Sequence, residues 1–423
     1  MMRVIYVGPF GQKSGYGHAC HDNIAALVSA GVDVRIFPIM EFDTDDVPER
    51  FKHLLEFVVG ETTSDEDRAW PTHVIVHAIP HGLVDLLANA VEDLDLDRKC
   101  FKAVAYTTWE TNKFPDGVME LVADTFDRVL FPCAWNAETY RRVFKKPFDP
   151  TWYGEKASYD INRRLQQEKA GVVNHALSPE WWAAAKRARP AGGPFIFLWV
   201  GTWTERKNPI GLLQAYFSEF RAGENVLLKI VTPSFPTEDV ASLARSSFFD
   251  ELPTVEIVGK AGMRLSEEEM RQLYADADCY VTLARGEGWG LGAFEAAAVG
   301  IPVICPAYGG FLDFISVGFK GIECYERAAW TPETTSGNVM RVAGMEIKPL
   351  LVNAPNGVRI DQLWAEPNMK QAMQFMRSVY TLATEGGSYV VGSMPDMAYT
   401  EAFRENFSWK TIGAKFVAEL ERA

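Results

Sequence analysis

The run Gly286-Glu-Gly-Trp-Gly-Leu-Gly-Ala-Phe-Glu-Ala-Ala-Ala-Val-Gly300 sets four alternating glycines ahead of a string of helix formers, with carboxylates at Glu287 and Glu295. Glycines so spaced strip side chains from a turn and permit positive φ, which leaves main-chain amides open to a ligand. The alanine-rich continuation reads as a helix, whose first N–H groups point into the same space and favour an anionic or hydroxyl-rich ligand. Glu287 lies in the turn and Glu295 about two helical turns on, so each accepts hydrogen bonds from a different part of one extended polar molecule. Sugars and riboses offer such hydroxyl pairs. The alternative is a loop-to-helix junction whose glycines serve tight packing alone.

Working outward, Cys279 to Leu283 reads as a strand leading into this turn, and Ser266 with Glu269 forms a capping box that opens the preceding helix. The turn therefore sits at the carboxyl end of a strand, where open α/β sheets bind ligands. Strands are expected at Phe195–Val200, Val226–Val231 and Val255–Val258, with a helix at Pro209–Phe220. The other half begins in the same way. A strand, Arg3–Gly8, is followed by a loop with Gly11, Gly15 and Gly17, a helix from about His18 to Ala30 and a second strand at Val32–Phe37, which is a βαβ unit. Further apolar runs follow at Val74–His77, Ala103–Tyr106 and Val129–Phe131. The breaker-rich Ala188-Arg-Pro-Ala-Gly-Gly-Pro194 is the expected linker, so the fold class is α/β with two Rossmann-like domains, 1–190 and 191–400.

A chain of 423 residues with 48% hydrophobic content supports two cores. Lys plus Arg total 42 against 56 Asp plus Glu, a net charge of −14, which disfavours a free-standing nucleic-acid binder. Six cysteines are scattered without CxxC pairs and read as reduced thiols in a cytoplasmic protein. No basic-then-apolar leader opens the sequence, and no apolar run of about eighteen residues is present, so neither secretion nor membrane insertion is expected.

With Glu287 and Glu295 in place, the chain resembles the retaining glycosyltransferases of two-Rossmann-domain (GT-B) architecture marked by Glu-x7-Glu, glycosyltransferase family 4 or glycosyl transferases group 1. Gly201-Thr-Trp-Thr-Glu-Arg-Lys-Asn-Pro209 is similar to the family's Gly-Arg-x4-Lys-Gly element, with Lys207 in the lysine position and Thr202 where the arginine usually stands. Further matches are Gly259 with the helix after it, Tyr274-Ala-Asp-Ala-Asp278, Gly300-Ile-Pro-Val-Ile304 with Gly309-Gly310, Trp364-Ala-Glu-Pro367 and Phe407-Ser-Trp409. The first half matches through its glycine loop, Tyr106-Thr-Thr-Trp-Glu110, Pro132-Cys-Ala-Trp-Asn136 and Val172-Val-Asn-His175. Segments of about 145–170 and 320–362 read as insertions.

The resemblance implies two Rossmann-like domains facing each other across a cleft, with residues 401–423 forming a helix that crosses back to the first. It implies that Lys207, joined by Arg206, neutralises the diphosphate of a nucleotide-sugar. Glu287 and the amides of Gly288, Trp289, Gly290 and Leu291 would hold the transferred sugar, Glu295 the ribose hydroxyls, and the amides of Gly15 and Gly17 the phosphates. The donor base falls near Gly259 to Gly262. His77, with His81 as its alternative, would assist at the sugar, and Glu110 would touch acceptor or donor. The competing reading is a structural histidine at a strand end for the first two and a surface carboxylate for the third. Retention by front-face attack needs no protein nucleophile and, with lysine on the phosphates, no metal. Nor does it need a cofactor beyond the nucleotide-sugar co-substrate. The acidic pairs Asp43/Asp45, Asp65/Asp67, Asp93/Asp95 and Asp276/Asp278 are accordingly not assigned to a metal.

The acceptor stays open among glycan, lipid-linked sugar, protein, small molecule and nucleic acid. Arg141-Arg142 with Lys145-Lys146, and Lys186-Arg-Ala-Arg189, are candidates for peripheral membrane contact or an anionic acceptor, and otherwise solvated helix faces. Trp181-Trp182 is expected to pack at the domain junction. Alternative activities are a nucleotide-sugar epimerase, a glycan phosphorylase, a nucleic-acid-modifying glycosyltransferase, a dinucleotide-binding oxidoreductase and a non-catalytic binding protein.

Overall fold

The computed structural model describes residues 2–12, 14–59, 70–115, 117–145, 156–183, 187–233, 251–259, 265–315, 345–347, 349–353, 362–384 and 403–423. The expectations for Lys260 to Gly262, Asp65/Asp67, Lys146, Lys186 and most of 320–362 lie outside them. The chain divides into two compact units: Met1–Ser178 with Asn353–Leu363 and Glu405–Ala423, and Pro179–Val352 with Trp364–Arg404.

The first unit is built on a parallel sheet of β1 (Arg3–Gly8), β2 (Asp33–Pro38), β3 (His73–His77), β4 (Lys102–Tyr106), β5 (Arg128–Phe131) and β6 (Ala170–Val172), ordered β2-β1-β3-β4-β5-β6. Helices cover such sheets on both faces, so the strands read as continuous apolar runs, and β3 is buried along its whole length. Val7, Val74, Val76, Leu87, Phe131 and Tyr140 belong to its core. The three-residue β6, Ala-Gly-Val, falls below what a sequence pattern resolves as a strand. Gly171 within it is there for space: a Cβ would stand 2.7 Å from the Leu130 side chain.

The helix Trp409–Leu420 belongs to this first unit and packs along the helix Gly15–Ser29. Gly413 permits the approach, since a Cβ there would meet the Ala26 carbonyl at 2.1 Å. Arg128 Nε donates to Glu419 at 2.9 Å in a buried ion pair, Trp409 Nε1 donates to Asp22 at 2.8 Å, and His73 Nε2 bonds the Leu420 carbonyl at 3.0 Å.

The second unit has a parallel sheet of β7 (Phe195–Val200), β8 (Val226–Val231), β9 (Thr254–Val258), β10 (Cys279–Val281), β11 (Val303–Pro306) and β12 (Met345–Ile347), ordered β12-β11-β10-β7-β8-β9. Phe195, Phe197, Trp199, Tyr216, Ile230 and Val281 form part of its core. The unit begins at Pro179, ahead of the glycine- and proline-rich stretch at which a boundary of 190/191 was expected. The reason lies in what residues 179–190 touch: Trp181 packs edge-on to Tyr274 at 5.3 Å, the Arg187 amide donates to the Ala275 carbonyl at 2.8 Å, and Arg189 donates to the Ala383 carbonyl at 3.0 Å. Among the described residues no helix is long and apolar enough to cross a membrane.

Each sheet has one place where neighbouring strands send their connections to opposite sides. It lies between β1 and β3 in the first unit and between β7 and β10 in the second. Loops leaving the carboxyl ends of such strands diverge and open a crevice.

Candidate functional site

The loops that follow β7 and β10 meet at the second switch point. After β7 the chain runs to Asn208, a buried residue at φ 52°, in the left-handed region that a non-glycine residue occupies only under constraint. Two bonds supply the constraint. The Asn208 side-chain oxygen accepts from the Gly211 amide at 3.2 Å, capping the helix Pro209–Glu219, and its nitrogen donates to the Leu283 carbonyl at 3.0 Å on the loop after β10. Arg285, on the loop after β10, ties the same two loops together. Its amide donates to the Arg206 carbonyl at 2.7 Å, its guanidinium to the Glu205 carbonyl at 2.8 Å, and it pairs side-on with Glu366 at 2.5 and 3.2 Å.

That clamp brings the three predicted charged residues together. Glu287 is 8% exposed; Lys207 Nζ donates to one of its carboxylate oxygens and Arg206 Nη1 to the other at 3.3 Å, while Arg206 Nη1 also donates to the Gly286 carbonyl at 2.7 Å. Burial works to raise the carboxyl's pKa, but the charges of Lys207 and then Arg206 outweigh it and hold the group below its ordinary value. Two half-buried cations face one anion, so the cluster carries a net positive charge.

Beside it begins the helix Leu291–Val299, entered through Gly290 at φ 94° with no side chain capping the end. Its first-turn amides have no partner inside the helix. Close packing explains several glycines here. A Cβ on Gly290 would lie 2.3 Å from the Phe311 ring, and one on Gly309 or Gly310 would lie 2.4 Å from the Glu287 or Gly288 carbonyl oxygen. The Gly310 amide donates to the Glu287 carbonyl at 3.1 Å. Trp289 is 3% exposed, and its ring packs on Phe294 and Phe314, each at 5.1 Å. Leu291 and Glu295 are half-buried on the first turns of the helix.

The first-unit expectations fare differently. Ser14 caps the helix Gly15–Ser29 by accepting from the Gly17 amide at 3.3 Å, so that amide is already taken, whereas Gly15 is exposed. Gly17 is fixed by sterics, a Cβ standing 1.7 Å from the Gln12 carbonyl. His77 is 2% exposed, with Nδ1 bonded to the Tyr6 hydroxyl at 2.9 Å and its ring against Tyr106. Burial, then the neighbouring His175, push it well below the usual histidine range, so it is a neutral core histidine. The exposed His81 lies beside Trp109 at 5.8 Å. Glu110 is half-buried on a loop that Asn136 holds by bonds to Thr108 at 2.7 Å and to the Trp109 carbonyl at 2.8 Å.

Two of the acidic pairs have local duties. Asp43 accepts from the Asp45 amide at 3.0 Å, and buried Asp278 accepts from the Ile196 amide at 2.8 Å. Among the described residues no group of three or more His, Cys, Asp or Glu comes together as a metal ion requires. Asn208 and Arg285 were missed by sequence reasoning. Asn before Pro at the start of a helical stretch is a readable capping signal, whereas Arg285 carries none.

The fold these units define is GT-B: α/β, with two Rossmann-like domains. Its likeness extends over nearly all of two solved structures, the lipopolysaccharide outer core galactosyltransferase WaaB (TM-score 0.55, 13% identity, 99% of each chain covered) and sucrose-phosphate synthase from Thermosynechococcus elongatus (TM-score 0.53, 14% identity, 99% of this chain and 98% of that one). Within this fold, residues 182–330 match the family Glycosyl transferases group 1. A D-inositol 3-phosphate glycosyltransferase of Corynebacterium urealyticum is 26% identical over 241 residues, 54% of each protein. The chain thus spans about half the length of this curated relative.

Proposed function

We propose that the protein is a retaining glycosyltransferase that moves a hexosyl unit from a nucleoside-diphosphate sugar to an acceptor hydroxyl without a catalytic metal. The observation that carries this is the Glu287–Lys207–Arg206 cluster beside the uncapped helix Leu291–Val299 at the β7/β10 switch point. A diphosphate meets there two cations, one anion and the amides of a helix N-terminus, a field that favours its charge. Lys207 and Arg206 turn from Glu287 to the phosphate oxygens and stabilise the leaving group. Glu287, released from them, accepts from the sugar hydroxyls, and Glu295 accepts from the ribose. His77 is left out of the contact set because its ring is buried and tied to Tyr6.

The family match at 182–330 supports the class, and the first unit takes the acceptor side in this reading. Thermal shift against UDP-, GDP-, ADP- and dTDP-sugars, the free nucleotides and NAD(P) tests it, since a ligand of the folded state raises the melting temperature. One nucleotide-sugar series should stabilise the wild type, and turnover should survive a metal chelator. A response to NAD(P) alone would overturn the class, and loss of turnover on chelation would overturn metal independence.

A further inference from the structure

Beneath the helix Leu291–Val299 lie two tyrosine hydroxyls that the site described so far does not use. A Cβ placed on Gly292 would meet the Tyr280 hydroxyl at 2.4 Å and the Tyr274 hydroxyl at 3.2 Å, so Gly292 keeps this face of the helix open to both. Glu295 stands three residues on, on that same face.

The two phenols are not equivalent. Tyr280 donates to the Val200 carbonyl at the end of β7 at 3.4 Å, whereas the Tyr274 hydroxyl is fully buried and the acceptor side chain beside it is Glu295. The Tyr274 ring packs edge-on to Trp181 at 5.3 Å and stacks on Tyr280 at 6.0 Å. Burial, then the negative charge of Glu295, push this phenol well above its ordinary value, so its proton stays in place. A buried donor left without an acceptor is unfavourable, and the charged acceptor on its face of the helix is Glu295.

We propose that Tyr274 is a positioning residue for donor recognition: its hydroxyl donates to Glu295 and orients that carboxylate toward the ribose hydroxyls of the nucleotide, with Gly292 leaving the space for it. The inference rests on the reading of Glu295 as the ribose acceptor. A carboxylate bonded on its inner side presents its remaining lone pairs outward in a fixed direction, so the contribution of Tyr274 appears only when a ribose hydroxyl is there to be read.

The experiment is calorimetric titration of the whole chain with UDP, GDP and ADP, and with the 2′-deoxy and 3′-deoxy counterparts of the one that binds. Wild type should prefer the ribonucleotide by about tenfold, the ratio expected from one hydrogen bond to a charged group. Glu295→Ala should abolish the preference. Tyr274→Phe, which keeps the ring, should cut it to about threefold or less while leaving deoxynucleotide affinity unchanged. Gly292→Ala, whose methyl displaces both hydroxyls, gives the same readout should Tyr274→Phe not fold. A wild-type preference retained in Tyr274→Phe, or equal weakening of both nucleotides, would overturn the positioning role while leaving Glu295 in place. No binding by wild type, or no preference in either wild type or Glu295→Ala, would instead bring down the reading of Glu295, and this inference with it.

Discussion

In the first unit the loop after β1 closes on itself. Ser14 takes the Gly17 amide, Gly17 is fixed by the Gln12 carbonyl, and the adjacent strand ends in a histidine already bonded to Tyr6. The loops after β7 and β10 in the second unit are held just as firmly, by Asn208 and Arg285. Next to these bonds stand the Glu287–Lys207–Arg206 cluster and a helix start that no side chain caps. Both units place glycine loops at a switch point, so a glycine pattern alone does not distinguish a loop that binds from one that is merely built. The structural difference between them is that Ser14 takes the Gly17 amide in the first, whereas the helix after Gly290 starts with no side-chain cap in the second.

The sharpest way to break this contrast is Lys207→Ala. Turnover of the matching nucleotide-sugar should fall about 10²–10³-fold in a steady-state assay, the range seen when one transition-state charge donor is removed. Arg206→Ala should cost less, since that guanidinium spends one of its bonds on the Gly286 carbonyl. Unchanged turnover in Lys207→Ala would make the second-unit cluster as structural as the first-unit loop.

A second pair of variants separates packing from binding. Gly310→Ala drives a methyl to within 2.4 Å of the Gly288 carbonyl oxygen and should weaken nucleotide binding by about tenfold or more, with about 1–3 kcal/mol of stability lost to overpacking. Gly17→Ala, at 1.7 Å from the Gln12 carbonyl, should destabilise the first unit at least as much yet leave nucleotide affinity within about twofold. Chemical denaturation with calorimetric titration resolves the two.

The units also differ in acid. All seven histidines of the sequence lie between His18 and His175, inside the first unit. Burial lowers His18 from 6.5 to about 4, and His21 and His175 to about 3. Because the folded values are depressed, the unfolded chain binds more protons below 6.5; the stability these groups confer is whole above that pH and drains away as pH falls toward 4 and 3. Glu287 in the second unit is depressed from 4.5, so its contribution is whole above 4.5 and is lost only as pH falls below it. Hydrogen exchange at pH 7, 5.5 and 4.5 should find the first unit opening while the second stays protected. Equal loss of protection in both would refute the asymmetry.

The smallest effect expected is that of Ser14→Ala. It removes a helix cap and should cost about 1 kcal/mol in a denaturation midpoint, with turnover changed by less than about twofold. A larger rise in nucleotide affinity would mean that the Gly17 amide, once freed, binds phosphate after all.

Much of this was legible in the chain. Strands β7, β8 and β10 and the helix after Gly290 follow from apolar runs bounded by glycine, and Glu287 stands out in the glycine-rich turn, whereas Lys207 and Arg206 are reached only through the resemblance of Gly201–Pro209 to the family element. Two things were hidden, for different reasons. Whether the Gly17 amide is open depends on the rotamer of Ser14, which no spacing encodes. The pairing of Lys207 with Glu287 joins positions that the chain separates by 80 residues, and only the strand order brings them side by side. A strand-end histidine such as His77 looks the same from sequence whether it faces a ligand or a tyrosine, and the structure sets its ring against Tyr6 and Tyr106.

The helix Trp409–Leu420 has a consequence for how the protein is made. It supplies Glu419 to Arg128, the Leu420 carbonyl to His73 and the Trp409 indole to Asp22, so the first unit joins Met1–Ser178 to Glu405–Ala423 across most of the second unit's sequence. During synthesis the second unit's sheet, from β7 to β12, leaves the ribosome while the first still lacks this helix. The unit whose translation starts first is therefore completed only after the second unit's sheet has been made, and its Gly15–Ser29 helix waits uncovered until Trp409–Leu420 emerges.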